Sequence, residues 1–116
     1  MSSEIISEAR EKHEHWYGLF MKSLLEHNNG QVDESLAIPY HDCEFGVWLN
    51  ETGLKLHGDL TEMHDLARVH RELHLHVCNI IERQGLHLKS RFGFGQLEHS
   101  KDHLIDLLDK LEEILD

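Results

Sequence analysis

The chain has 116 residues, a length that fits a single domain over residues 1–116 with one modest hydrophobic core. Its formal net charge of -11 argues against binding to nucleic acid or to an anionic membrane surface, because both need an excess of basic residues. No apolar run approaches the ~20 residues of a membrane span and no secretory signal pattern opens the chain, so we expect a cytoplasmic protein.

The first predicted element is a long helix from about Ser3 to Asn28, ended by the Asn-Asn-Gly sequence at 28–30. His13 lies in the middle of its apolar stripe, whereas His15 points to the opposite face. Taken alone, His13 fits a core histidine with a hydrogen-bond partner. The apolar residues that form the stripe are Ile6, Ala9, Trp16, Tyr17, Phe20 and Leu24.

A connecting loop is expected from Gly30 to Asp42, because this stretch carries no helical period and contains the proline of the chain. A short helix from about Cys43 to Glu51 is predicted next, with Asp42 as its N-cap and Gly53 after its end. The helix dipole would favour a thiolate in its first turn. The short helix also has a glycine that would admit a neighbouring helix and three apolar anchors: Gly46, Phe45, Trp48 and Leu49.

The third predicted helix starts at a capping box, in which Asp59 is the cap and Glu62 reaches back to it, and it continues to about Gln84. Gly85 suits the position after its end. His70 lies at the centre of its apolar face and His74 lies beside it. The other residues of this face are Leu60, Met63, Leu66, Ala67, Leu73, Val77, Ile80 and Ile81.

After a connector from Leu86 to Gly95, the last helix is predicted to run to Leu115, with His103 at the edge of its apolar face and His99 outside it. That face consists of Leu97, Leu104, Leu107, Leu108, Leu111 and Leu115. Together these elements predict an all-α fold. We expect an antiparallel four-helix bundle in which one short helix carries a cysteine ligand and three helices are long.

Four residues of these helices could bind one metal ion. His70 and His74 are four residues apart, about 6 Å in rise, so both imidazoles can reach the same ion. An unpaired polar ring in a core costs a few kcal/mol, and a metal is the simplest shared partner for two of them. His13 would lie at the same depth, and the loop before Cys43 is long enough to bring the thiolate there. Three imidazoles and one thiolate make a closed tetrahedral set suited to Zn²⁺.

The same residues form three ordered motifs: His13-x-x-Trp16, Cys43-x-Phe45-Gly46-x-Trp48 and His70-x-x-x-His74. In their order and separations, these motifs resemble the chemoreceptor zinc-binding family, and the resemblance covers nearly the whole chain. It implies that the zinc ligands are His13, Cys43, His70 and His74. It further implies a helical bundle that often dimerises and that senses zinc or oxidants to control an output, either chemotaxis or cyclic-di-GMP synthesis by a diguanylate cyclase.

A homodimer is expected from this resemblance and from apolar residues of the first helix outside its main stripe: Ile5, Leu19, Met21 and Leu25. Neither a cyclase sequence nor a long signalling coiled coil is recognised. The chain is therefore expected to be either an excised domain or a stand-alone protein that acts on a separate partner. Oxidation of the cysteine thiolate, or loss of zinc, would release the short helix and supply the two states that a sensor needs.

Three alternatives remain open at this point. A hemerythrin-like di-iron bundle would need bridging carboxylates and ligands from all four helices, but the core stripes carry no Asp or Glu beside the histidines. A zinc hydrolase would need a metal position left for water, which four protein ligands do not leave, so we expect no enzymatic activity. A metal-free bundle with hydrogen-bonded core histidines is the third. Cys78 is interpreted as a small core residue, and Trp16 and Trp48 as packing around the metal.

Overall fold

The computed structural model describes residues 2–26, 34–84 and 94–115, and these residues are all-helical, without strands. The helices are α1 (Ser2–Glu26), α2 (Glu44–Trp48), α3 (Leu54–His57), α4 (Thr61–Gln84) and α5 (Phe94–Leu115). Two 3-10 turns precede α2, at Glu34–Leu36 and Tyr40–Asp42, and a π-helical turn at Leu49–Gly53 joins α2 to α3. The prediction of an all-α fold is confirmed. None of the described helices is long and apolar enough to cross a membrane.

The hydrophobic core lies between the long helices, where α5 packs against both α1 and α4. The predicted apolar faces supply most of it, because residues three and four apart on a helix share one side. Tyr17 and Leu60 are only partly buried, and the side chain of Leu24 lies outside the described part of the chain. Val69 is a core residue that the predicted stripe did not include.

Polar contacts fix how α1 lies along α5. The Arg10 guanidinium pairs with Asp109 at 2.7 Å and also with Glu112, both near the end of α5. Further along α1, the ammonium of Lys101 lies 5.5 Å from the centre of the Tyr17 ring. Residues near the start of α1 therefore meet the end of α5, and later residues of α1 meet its earlier part.

The start of the short helix differs from the prediction. Asp42 belongs to the preceding 3-10 turn, and the N-cap is Cys43, whose backbone is extended, with φ -81° and ψ 128°. Its amide donates to the Tyr40 carbonyl and its carbonyl accepts from the Val47 amide, so both peptide groups are satisfied by backbone partners. The prediction of Asp42 as the N-cap was therefore wrong. The backbone of the turn before the helix already accepts the hydrogen bond of the Cys43 amide.

The predicted end of the short helix was also wrong. The chain stays helical through Glu51 and Gly53, which lie in a π-helical turn, and the helix continues to His57. The amide of Leu54 donates to the carbonyl of Leu49, five residues earlier. A Cβ on Gly53 would lie 2.9 Å from the Trp48 ring, so glycine makes room for the indole within this wide turn.

The wide turn shifts the apolar register by one residue. Leu54 packs against the core, whereas Leu56, seven residues after the buried Leu49, is 64% exposed. In a regular α-helix, residues seven apart would lie on nearly the same face.

Several other boundaries differ from expectation. Helix α4 begins at Thr61, so Leu60 and not Asp59 precedes it, and the amide of Met63 donates to the Leu60 carbonyl at 3.1 Å. The helix therefore starts one residue later than predicted, after a leucine that has no side-chain oxygen to cap it. The described part of the first connector contains two 3-10 turns where a loop without helical period was expected. The stop signals at 28–30 and at residue 85, and most of the second connector, lie outside the described residues.

Candidate metal centre

The four predicted ligand residues come together from three helices. His13 is in the middle of α1, Cys43 caps the start of α2, and His70 and His74 are one turn apart in α4. One ligand atom from each of the four residues lies within 4.8 Å of all the others. The three histidines are 5%, 1% and 2% exposed in chain order, and the cysteine is partly buried. These residues could hold a metal ion.

Three of the distances between donor atoms of the cluster are close to those of a tetrahedral zinc site. The Nε2 of His70 lies 3.1 Å from the Nε2 of His13 and 3.1 Å from the Nε2 of His74. The Sγ of Cys43 lies 3.6 Å from the Nε2 of His13. Zinc–nitrogen bonds of about 2.05 Å and zinc–sulfur bonds of about 2.3 Å at tetrahedral angles separate two nitrogens by about 3.3 Å, and nitrogen from sulfur by about 3.6 Å.

Backbone carbonyls orient two of the imidazoles. The Nδ1–H of His13 donates to the carbonyl of Ala9 at 2.7 Å, and the Nδ1–H of His74 donates to the carbonyl of Ile38 at 2.6 Å. With the proton on Nδ1, each Nε2 presents its lone pair to the centre of the cluster. Metal-bound histidines almost always donate their second nitrogen in this way.

Burial keeps the histidines neutral. Desolvation lowers the pKa of His70 to about 2, with smaller contributions from the neighbouring His13 and His74. Desolvation also lowers the pKa of His74 to about 4, against the opposing effect of its hydrogen bond to Ile38. The pKa of His13 is lowered for the same reason, opposed by its hydrogen bond to Ala9. A neutral imidazole is the form that binds a metal.

Aromatic rings enclose the cluster. Trp16 stacks on His74, with ring centres 4.4 Å apart, and its Nε1–H donates to the carbonyl of Leu36 at 2.9 Å. Phe45 contacts His13 and His70 edge-on, at 5.7 Å and 5.4 Å between ring centres. Trp48 stacks on Phe45, one layer away from the ligands. Phe45 and Leu49 are buried and Trp48 is partly buried, so the predicted anchoring of the short helix is confirmed.

Gly46 permits the closest approach at this site. A Cβ there would lie 2.1 Å from the carbonyl oxygen of Tyr40 and 3.2 Å from Cε1 of His70. A neighbouring helix was predicted to come close here, and α4 does so, but the tightest contact is with the 3-10 turn that leads into Cys43. Glycine at this position therefore lets the cysteine turn and the His70 ring lie next to each other.

A pocket of about 310 Å³ opens beside the cluster. Three of the four ligand residues line it, together with Trp16 and Phe45. Lys12 and Glu44 also line it and form an exposed ion pair at 3.3 Å. The cysteine side of the cluster can therefore be reached from the protein surface.

Residues that were expected outside the site lie outside it. His15 and His99 are exposed, His103 is half-buried, and Cys78 is not part of the cluster. Burial and the nearby Glu82 raise the pKa of the Cys78 thiol. Within residues 2–26, 34–84 and 94–115, no Asp or Glu joins the cluster and α5 contributes no ligand. The backbone acceptors Ala9 and Ile38 were missed, because a carbonyl leaves no mark in the residue types of a sequence.

Comparisons with protein-family models, with curated proteins and with solved structures found no match for this chain.

Proposed function

We propose that this protein is a zinc-binding regulatory domain that responds to zinc availability or to thiol oxidation and controls a bacterial signalling output. The observation that carries the proposal is the convergence of His13, Cys43, His70 and His74, whose ligand atoms lie within 4.8 Å of one another. The proposed ion is Zn²⁺, held by all four residues and acting without catalysis.

The donor set supports zinc over the alternatives. Three neutral imidazoles and one thiolate suit a tetrahedral d¹⁰ ion, and three of the distances between donor atoms agree with zinc bond lengths. A di-iron site would need carboxylates, and none joins the cluster among the described residues. Four protein ligands also leave no open position for a catalytic water.

The position of Cys43 supports a sensing role. This residue is both a proposed zinc ligand and the N-cap of α2, so the metal bond would tie the short helix to α1 and α4. The pocket beside the cluster gives small molecules a route to the thiolate. A two-electron oxidant such as a peroxide transfers one oxygen atom to the thiolate and forms a sulfenic acid, which is a poorer zinc ligand. Oxidation and zinc depletion would then both release α2.

The signalling half of the proposal rests on the resemblance of the three motifs to the chemoreceptor zinc-binding family. We further propose a cytoplasmic protein that acts through an output domain or a separate signalling partner. We also propose the antiparallel four-helix arrangement; for α1 and α5, the contacts of Arg10 with Asp109 and Glu112 and of Tyr17 with Lys101 support it.

A homodimer is part of the same proposal. On α1, Leu19 is 42% exposed in the single chain. A large apolar residue that is buried only by a partner subunit would show such exposure. Ile5 and Met21 pack partly against the core of their own chain, which leaves them less surface to offer a partner. The side chain of Leu25 lies outside the described part of the chain.

Metal analysis of purified variants tests the zinc proposal. We expect one zinc per chain in the wild type and a marked loss of zinc in His70→Ala, because the remaining three ligands would leave the ion incompletely bound. The matched control is His99→Ala, which removes an exposed histidine from α5 and should retain full zinc. Full zinc content in His70→Ala would refute the assignment, and visible-light absorption by the native protein would favour iron, since zinc is colourless.

A further inference from the structure

A second pocket, of about 220 Å³, lies against His70 and separately from the pocket beside Cys43. His13, Cys43 and His74 do not line it. Its wall combines polar and cationic side chains with the backbone of the cysteine turn: Tyr40, Gly46, Asn50, His64, Arg68 and Arg71. Its size is below the ~300–1,000 Å³ of pockets for drug-sized ligands, so it suits a small molecule or ion.

The Nδ1 of His70 has no hydrogen-bond partner among the described residues, although the side chain is only 1% exposed. The other two histidines of the cluster each donate this nitrogen to a carbonyl. The Nε2 of His70 is directed at His13 and His74, so its Nδ1 side remains for the second pocket. A buried N–H without an acceptor is unfavourable, and a metal-bound histidine almost always has one.

The charge around this pocket favours an anion. The guanidinium of Arg71 lies 5.9 Å from the centre of the Tyr40 ring and pairs with no carboxylate among the described residues. Arg68 pairs with Glu72 at 3.2 Å and with Asp65 at 3.8 Å, so its charge is largely offset. The Arg71 guanidinium therefore supplies the pocket with a cation that no described acidic residue compensates.

His64 adds no comparable donor to the pocket. Its Nε2 bonds to the carbonyl of Gly58 at 2.8 Å, which occupies the N–H of the neutral ring. With zinc on its Nε2, His70 would carry its proton on Nδ1, so the donors that remain for a ligand are this N–H and the guanidinium of Arg71, two residues that both line the pocket.

We infer that this pocket binds a small oxyanion, a carboxylate or a phosphate, which accepts a hydrogen bond from the Nδ1–H of His70 and pairs with Arg71. The inference deepens the proposed function, since zinc on Nε2 polarises the same ring and strengthens its N–H as a donor. By linkage, an anion that binds the zinc form more tightly also raises the affinity for zinc. The pocket thereby makes zinc binding responsive to a second, anionic signal.

Titration of the zinc-loaded protein followed by NMR tests the inference. Sodium acetate and sodium phosphate are added separately, with sodium chloride at equal ionic strength as the reference, and the Nδ1–H signal of His70 is observed. We expect a saturable shift with at least one oxyanion, and the oxyanion that saturates identifies the ligand class. In Arg71→Gln the dissociation constant should rise about tenfold, since one charge-assisted hydrogen bond is lost.

The matched control is Lys110→Gln, which makes the same change of net charge at an exposed position of α5. Its dissociation constant should stay within about twofold of the wild type. Shifts equal to those of chloride, or oxyanion binding unchanged in Arg71→Gln, would overturn the inference. Metal analysis decides the proposed function separately, whatever the titration shows. Without zinc, the His70 ring would carry its proton on Nε2 and donate it to His13 and His74, so oxyanion binding should be lost in chelator-treated protein.

Discussion

Replacing Gly46 by alanine probes the tightest packing of the candidate metal centre. The new Cβ would lie 2.1 Å from the carbonyl oxygen of Tyr40, so one of the two backbones must move by about 1 Å to reach a normal contact. Overpacking of this kind costs about 1–3 kcal/mol, against which alanine gains up to about 1 kcal/mol in helix propensity. Because the displaced turn leads directly into Cys43, the affinity for zinc should also fall, by at least about tenfold.

Gly18→Ala is the matched control. It makes the same substitution within a long helix, at an exposed position where an added Cβ meets no atom within 4 Å. It should therefore stabilise the protein by about 0.5–1 kcal/mol through helix propensity alone.

Thermal unfolding with and without a chelator, together with zinc competition titrations, would measure both effects. For a chain of this length, 1 kcal/mol corresponds to roughly 4 °C in Tm. The two variants should therefore move Tm in opposite directions. A Gly46→Ala protein with the wild-type Tm and zinc affinity would show that the contact with Tyr40 does not determine the geometry of the site.

The neutral core histidines predict acid sensitivity of the metal-free protein. The pKa values of His70 and His74, about 2 and about 4, lie below the ~6.5 of an unfolded chain, so their stabilisation is complete above pH 6.5 and is lost as pH falls from there towards 4. Urea unfolding with a chelator should show a free energy of unfolding that is lower by about 2.5 kcal/mol at pH 5.5 than at pH 7, and a flat profile would contradict it. Hydrogen exchange over residues 44–57 should accelerate when zinc is removed, whereas unchanged exchange with zinc gone would make the metal merely structural. Light scattering should give twice the 13.6 kDa chain mass for the wild type and the mass of one chain for Leu19→Glu. The control Leu56→Glu changes another exposed leucine and should stay dimeric. A wild-type monomer at high concentration would count against the dimer.

The long helices and the ligand cluster could be predicted because their determinants are local. Apolar residues at three- and four-residue spacing place His13, His70 and His74 on buried faces, whatever the rest of the chain does. The cysteine that precedes Phe45, Gly46 and Trp48 indicated the fourth residue of the cluster. These features depend on periodicity and residue type, which a sequence displays directly.

The parts that were mispredicted depend on contacts between residues that the local pattern does not relate. Asp42 looked like an N-cap, but it lies in a 3-10 turn whose Tyr40 carbonyl approaches Gly46 closely. Gly53 looked like a helix stop, but it lies in a π-helical turn, where the Trp48 ring occupies the space next to it. The acceptor carbonyl of Ile38 and the pocket beside Arg71 likewise arise only when distant segments meet.

The π-helical turn at Leu49–Gly53 has a consequence for how related chains could be recognised. A π-turn equals an α-turn with one residue inserted, so deletion of the exposed Glu51 would leave Leu54 four residues after Leu49, the spacing of a regular helix. Both leucines would still face the core, and the cysteine and histidine motifs would stand one residue closer in sequence with their geometry unchanged. A search that requires the 27-residue interval between Cys43 and His70 would therefore overlook proteins with the same arrangement of ligands and a helix one residue shorter.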